Sequence, residues 1–190
     1  MKIVIGLVGE KGSGKETLAR FLKQAAAGKT VGHKRFSDVL TETLRLWDIR
    51  ATRKNLQKLA VVMDNAFGEG ALTHAVYALI AREEADIVVL DGIRWKTDLA
   101  MLRRFTRNIL VYVTADIETR YERVKERKEK EGEECATLEE FLEEEQAPNE
   151  LLIPQIGREA DVRIINNSRV DDFKKQIEGF HLEYVKTACE

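Results

Sequence analysis

The chain has 190 residues, 44% of them hydrophobic and 34% charged, with a formal net charge of −2. That length suits one domain with a sizeable core, and the composition excludes a disordered chain. The near-balanced charge excludes a global attraction to nucleic acid or to an anionic membrane, so either role would need a local patch.

The chain opens with "KIVIGLV" (2–8), nearly continuous in apolar and β-branched residues, which predicts a strand buried on both faces. "GEKGSGKET" (9–17) follows, and then an amphipathic helix with Leu18, Phe21, Leu22 and Ala25 on one face and Gly28 as its stop. "HKRF" (33–36) reads as a second strand, and Ser37 as the N-cap of a helix carrying Leu40, Leu44 and Trp47. Helical patterns cover 53–67 and 71–83 around "FGEG". Further strands are expected at 86–90, 108–115 and 161–165, with helices at 97–106, 116–131, 137–146 and 171–186. Continuous apolar strands alternating with helices predict an α/β fold, a parallel sheet covered on both faces. Ligands then bind beyond the carboxyl ends of the strands. Residues 117–146 hold many charges and few apolar anchors, the pattern of a solvated helical pair over such a site.

Two strand ends carry the chemistry. In the loop 9–17, Gly9, Gly12 and Gly14 let the backbone approach a phosphate closely. The amides of Glu10, Lys11 and Ser13 and the start of the next helix supply donors, and Lys15 supplies a point charge. The hydroxyl position after the lysine holds Glu16, and Thr17 comes one residue later. At the end of the third strand, "LDGIR" places Asp91 to orient the water shell of Mg²⁺ on nucleotide phosphates, and Arg94 to grip a phosphate. No direct protein ligation of the metal is expected, and His33, His74 and His181 lie at unrelated spacings. Cys135 and Cys189 fit no metal or redox pattern and read as reduced thiols. With an apolar run at 3–8 too short for a signal core or a span, a cytoplasmic location is expected.

Together "GEKGSGKET" and "LDGIR" resemble the P-loop nucleoside monophosphate kinases, adenylate kinase and its relatives, whose loop reads G-x-x-G-x-G-K-G-T. Glu16 stands where that family usually has glycine. The likeness is nearer still to archaeal adenylate-kinase-related and dephospho-CoA-kinase-like proteins, which share D-G-I-R and a stretch like "IPQIGREADVRIINN" (153–167). The resemblance implies a three-layer α/β/α P-loop fold with five parallel strands in the order 2-3-1-4-5. It implies one domain over 1–190, with a core of 1–36, 84–116 and 147–190. Residues 37–83 would form an acceptor-binding helical region and 117–146 a small lid. It further implies that residues 9–17 hold ATP, with Thr17 on the phosphates, and that Arg94 clamps the acceptor.

The helix 119–132 occupies the lid position, where arginines close over the transferred group. Arg120, Arg123 and Arg127 share roughly one face; Arg123 and Arg127 are the chosen carriers, with Arg158 a further candidate. Pairing with the abundant glutamates is the competing reading for each. Arg35, Asp38 and Arg53 fall where this class binds its acceptor. A phosphate acceptor needs mainly arginines, whereas a hydroxyl acceptor needs a carboxylate to take the proton, and Asp38 is placed for that. Trp47 and Trp95 could stack on a base. The function expected is γ-phosphoryl transfer from ATP, with Mg²⁺, to a nucleotide or nucleotide-like acceptor, nucleoside monophosphate or dephospho-CoA. The partner is that small molecule, with neither nucleic acid nor membrane, in a monomer or homodimer. A nucleotide-binding regulatory ATPase is the alternative, kept open by Glu16.

Overall fold

A computed structural model describes residues 2–26, 28–127 and 137–186, so Cys135 and Cys189 lie outside it. Five strands, β1 (Ile3–Val8), β2 (Val31–Arg35), β3 (Ile87–Asp91), β4 (Asn108–Thr114) and β5 (Val162–Ile165), form one parallel sheet. Their order is β2-β3-β1-β4-β5, as expected. Around it run α1 (Lys15–Ala25), α2 (Phe36–Leu46), α3 (Arg53–Phe67), α4 (Ala71–Arg82), α5 (Lys96–Leu102) and α6 (Ile117–Arg127). After them come α7 (Leu138–Glu145), α8 (Pro148–Leu151), α9 (Ile153–Gly157), α10 (Val170–Phe180) and a π-helical turn at His181–Lys186.

The central strand explains the layering. All six residues of β1 are buried, and alternate ones enter opposite cores. Ile3, Ile5 and Leu7 join Leu18 and Leu22 of α1 and Phe173 and Ile177 of α10. Val4 and Val8 join Val76 and Ile80 of α4, Leu102 of α5, and Ile153 and Ile156. A strand that must feed two cores has no room for polar alternation, which is why the run is continuously apolar.

Several local expectations need correction. Ser37 does not cap α2: the cap position is Arg35, and Asp38 accepts a 2.7 Å hydrogen bond from the Arg35 amide. A carboxylate three residues into a helix satisfies an orphan N–H and suits the dipole, so it wins over the serine. The helix expected at 97–106 ends at Leu102. Residues 148–157 hold two short helices that were not predicted, each with proline in its first turn, where a missing N–H costs nothing. The charged region is also better anchored than expected. Phe141 of α7 is fully buried, and Arg120 of α6 is 6% exposed. The Arg120 guanidinium lies over the Phe141 ring at 5.6 Å.

Candidate active site

Register brings the site together. Leu7, Asp91 and Arg35 lie in one row across β1, β3 and β2, so the phosphate-type loop leaves β1 beside the carboxyl ends of both neighbours. The loop itself depends on glycine. A Cβ on Gly9 would lie 2.2 Å from the Val113 carbonyl oxygen of β4. Gly14 has φ +101° and a Cβ there would lie 2.3 Å from the Asn166 side-chain nitrogen. We therefore expect Gly14→Ala to cost about 2–3 kcal/mol in backbone strain and displacement. In a chain of this size that lowers Tm by roughly 5–10 °C, measurable by thermal melting.

Lys15 opens α1 and folds back over the loop, donating to the carbonyls of Gly9 at 2.6 Å and Glu10 at 2.9 Å. Burial lowers its pKa from the ordinary lysine value, while the nearby charge of Asp91 opposes that shift and Arg94 adds to it. Asp91 ends β3 with a buried side-chain oxygen, Oδ1, that has no hydrogen-bond partner among the described residues. Glu10 accepts a hydrogen bond from the Tyr112 hydroxyl. Burial, then this contact, raises the Tyr112 pKa. The hydroxyl of Ser13 is buried and has no hydrogen-bond partner among the described residues. Thr17 is in the first turn of α1 and lines a groove of about 380 Å³ with Glu16, Arg20, Lys23 and His33.

Glu16 pairs with Arg35 at 2.8 Å, tying α1 to the end of β2. Both side chains are largely exposed, so this contact is worth little to stability. It matters by orienting Arg35, one of the expected acceptor residues.

In "LDGIR", Ile93 is buried in the core and its amide donates to the Leu7 carbonyl at 3.2 Å. Arg94 then emerges and pairs with Glu150 of α8 at 2.7 Å. Asp98, only 3% exposed, accepts from the amides of Arg94 and Trp95 at 3.0 Å each and fixes this turn. Burial raises the Asp98 pKa despite those bonds. Trp95 is 42% exposed beside Arg94, while Trp47 is 75% exposed at the end of α2.

The three expected lid arginines separate. Arg120 is structural: it bonds the Ala115 carbonyl at 2.9 Å and pairs with Glu145 of α7. Arg123 reaches Asn166 at 3.3 Å, and its other terminal nitrogen, Nη1, is buried with no hydrogen-bond partner among the described residues. Burial lowers the Arg123 pKa. Arg127 ends α6 and Arg53 begins α3; their side chains lie outside the described part of the structure. Arg158 is exposed at the end of α9, where the chain turns into the start of β5, at the edge of the sheet opposite the loop. Its candidacy for the lid is therefore not supported by its position.

Sequence reasoning did not select Asn166, Glu144, Glu145 or Glu150. Asn166 follows β5 and donates to the Ser13 carbonyl at 2.9 Å. Glu144 pairs with Lys11 of the loop at 2.7 Å. The signal available for the glutamates was only their charge, which a solvated helix shows equally well. For Asn166 it was a polar residue at a strand's carboxyl end.

A sequence model of a family described as an AAA domain matches residues 5–148. A UPF0200 protein of Hyperthermus butylicus is 25% identical over 175 residues, covering 92% of this chain and 91% of that protein. Another, of Sulfurisphaera tokodaii, is 27% identical over 175 residues, covering 92% and 93%. Among solved structures, a shikimate kinase from Acinetobacter baumannii in complex with shikimate superposes with a TM-score of 0.56 at 19% identity. That match covers 98% of this chain and 96% of the other. Such a likeness concerns the fold, and it agrees with the strand order and the placement of the loop. With a family match spanning residues 5–148 and a phosphate-type loop at the carboxyl edge of a 2-3-1-4-5 sheet, the chain belongs to the AAA domain family of P-loop proteins.

Proposed function

We propose that the chain is a phosphotransferase that moves the γ-phosphoryl group of ATP to a nucleotide or nucleotide-like acceptor, a nucleoside monophosphate or dephospho-CoA. The observation that carries this reading is convergence at one sheet edge. Lys15 folds back onto loop carbonyls, and among the described residues the buried Asp91 Oδ1 and Arg123 Nη1 have no hydrogen-bond partner. Those unpaired groups fit a bound triphosphate and its hydrated cation. Mg²⁺, when bound, would neutralise charge on the outer phosphates, with Asp91 holding its water shell. Lys15 would leave the Gly9 and Glu10 carbonyls for phosphate oxygens.

In the transfer, an acceptor oxygen bonds to the γ-phosphorus as the bond to the bridging oxygen breaks, and ADP leaves. Arg123 and Arg94 would bear on the charge involved, the first on the transferred group and the second on the acceptor. A phosphate acceptor needs no base. A hydroxyl acceptor passes its proton to Asp38, one of whose oxygens is bonded to the Arg35 amide. Asp38→Asn is therefore expected to lower kcat about 10²-fold for a hydroxyl acceptor and less than about threefold for a phosphate acceptor. Steady-state kinetics on the identified acceptor checks this.

The direct test is γ-phosphate transfer from ATP to a panel of nucleoside monophosphates, nucleosides, dephospho-CoA and shikimate, the last because a shikimate kinase shares the fold. Tight ATP binding with no transfer to any of them would overturn the kinase reading. The regulatory ATPase is then the reading left, and one observation favours it. Two of the three expected acceptor-side arginines are already paired, Arg35 with Glu16 and Arg94 with Glu150; the side chain of the third, Arg53, is outside the described part. A protein partner captured only by the ATP-loaded form would identify it. Among the described residues no helix is long and apolar enough to cross a membrane.

A further inference from the structure

Four cations around the loop are each held by a carboxylate. Lys11 pairs with Glu144, Arg35 with Glu16, Arg94 with Glu150 and Arg120 with Glu145. Arg123 is different. Among the described residues its hydrogen-bond partner is the neutral side-chain oxygen of Asn166, at 3.3 Å, and its Nη1 is buried with none. Glutamate is abundant on α6 and α7, so a carboxylate at this arginine would be the ordinary outcome of the local sequence.

Asn166 is 5% exposed and is held on two sides. Its backbone amide donates to the Thr114 carbonyl at the end of β4, at 2.8 Å. Its side-chain NH2 donates to the Ser13 carbonyl in the loop at 2.9 Å. The orientation of the amide follows from the chemistry of its partners: a carbonyl can only accept, and a guanidinium can only donate. The same NH2 fills the space that a side chain on residue 14 would need, which ties Gly14 to Asn166 as well as to phosphate. One side chain thus touches the donor loop and the lid arginine at once.

We propose that Asn166 is a positioning residue that aims Arg123 at the phosphates while leaving its charge unneutralised. An aspartate would fit the same space, but its carboxylate would satisfy the guanidinium and compete with the incoming anion. A neutral amide fixes direction and leaves the attraction to the ligand. The idea rests on reading the loop as a triphosphate site, though not on transfer to any acceptor.

The test is ATP·Mg²⁺ binding to the full chain by titration calorimetry, with inorganic pyrophosphate as a second probe. Asn166→Asp, Asn166→Ala, Arg123→Ala and the two double variants are compared with the native protein. Asn166→Asp should weaken ATP binding at least about tenfold, and more than Asn166→Ala does, although alanine removes both side-chain contacts. In the Arg123→Ala background, Asn166→Asp should cost at least about threefold less than in the native background, because the group it quenches is gone while the lost Ser13 contact is common to both. Equal losses in both backgrounds, or a larger loss for alanine than for aspartate, would overturn the proposal and leave Asn166 as a brace for the loop. Should Asn166→Asp fail to fold, the Asn166→Ala cycle with Arg123→Ala decides alone: additive losses would refute the idea. ATP binding without phosphoryl transfer would sink the kinase reading and leave this cycle readable. A native protein that binds neither ATP nor pyrophosphate overturns both.

Discussion

Lys15→Ala is expected to lower kcat/KM for phosphoryl transfer by at least about 10³-fold, or ~4 kcal/mol, with the fold retained. The ammonium of the lysine donates to the Gly9 and Glu10 carbonyls, and among the described residues no carboxylate pairs with it and neutralises it. Removing it exposes the Gly9 and Glu10 carbonyls to water, a loss of about 1 kcal/mol and a Tm decrease of about 2–4 °C. Activity and stability should therefore part company. The pH dependence adds a second readout. Burial lowers the Lys15 pKa in the free protein, and a bound phosphate favours its charged form. Above that lowered pKa, binding must take up a proton, so ATP affinity falls as pH rises through it and is unaffected well below it. In Lys15→Ala that fall should vanish. Calorimetry in buffers of different ionisation enthalpy, on both proteins, measures the proton uptake directly. Unchanged turnover in Lys15→Ala would remove the loop from the mechanism.

What could be read from the sequence was whatever local pattern encodes. β1 and β4 are buried on both faces, so their residues show up as unbroken apolar runs, and the loop between β1 and α1 shows up through glycines that nothing else can replace. Asp91 and Arg94 stand out in the sequence because they close such a run or follow it within three residues. Long-range pairing has no comparable trace. Glu16 meets Arg35 across 19 positions because a parallel crossover returns β2 beside α1, and no spacing rule records that. Arg120 and Arg123 are three residues apart on one helix, yet one is held by Glu145 and also reaches the Lys11 carbonyl of the loop at 3.4 Å, while the other meets Asn166. A helical-face argument could group them but could not separate them, because the partner that decides comes from α7. Asn166 was invisible for a different reason: a single asparagine has no periodicity, and its meaning lies in touching Ser13 and Arg123 together.

Asp91→Asn should separate the metal's contribution from the loop's. The substitution keeps the size of the side chain but removes the charge that would order the water shell of Mg²⁺. Transfer should fall about 10²-fold or more, consistent with losing one electrostatic element of a phosphoryl-transfer site. ATP binding measured in the presence of EDTA should change by less than about threefold, because Lys15 and the loop amides remain. Binding with Mg²⁺ should lose most of the advantage that the metal confers. The same substitution has a consequence at Lys15. The charge of Asp91 opposes the effect of burial on the lysine, so removing it lowers the Lys15 pKa further. The fall of ATP affinity with rising pH should accordingly begin at a lower pH in Asp91→Asn than in the native protein. A role confined to shaping the β3 turn would lower stability and would move neither the magnesium dependence nor the pH at which affinity falls. If both stay unchanged while Tm drops, Asp91 is a turn residue, and the buried oxygen has no cation to orient.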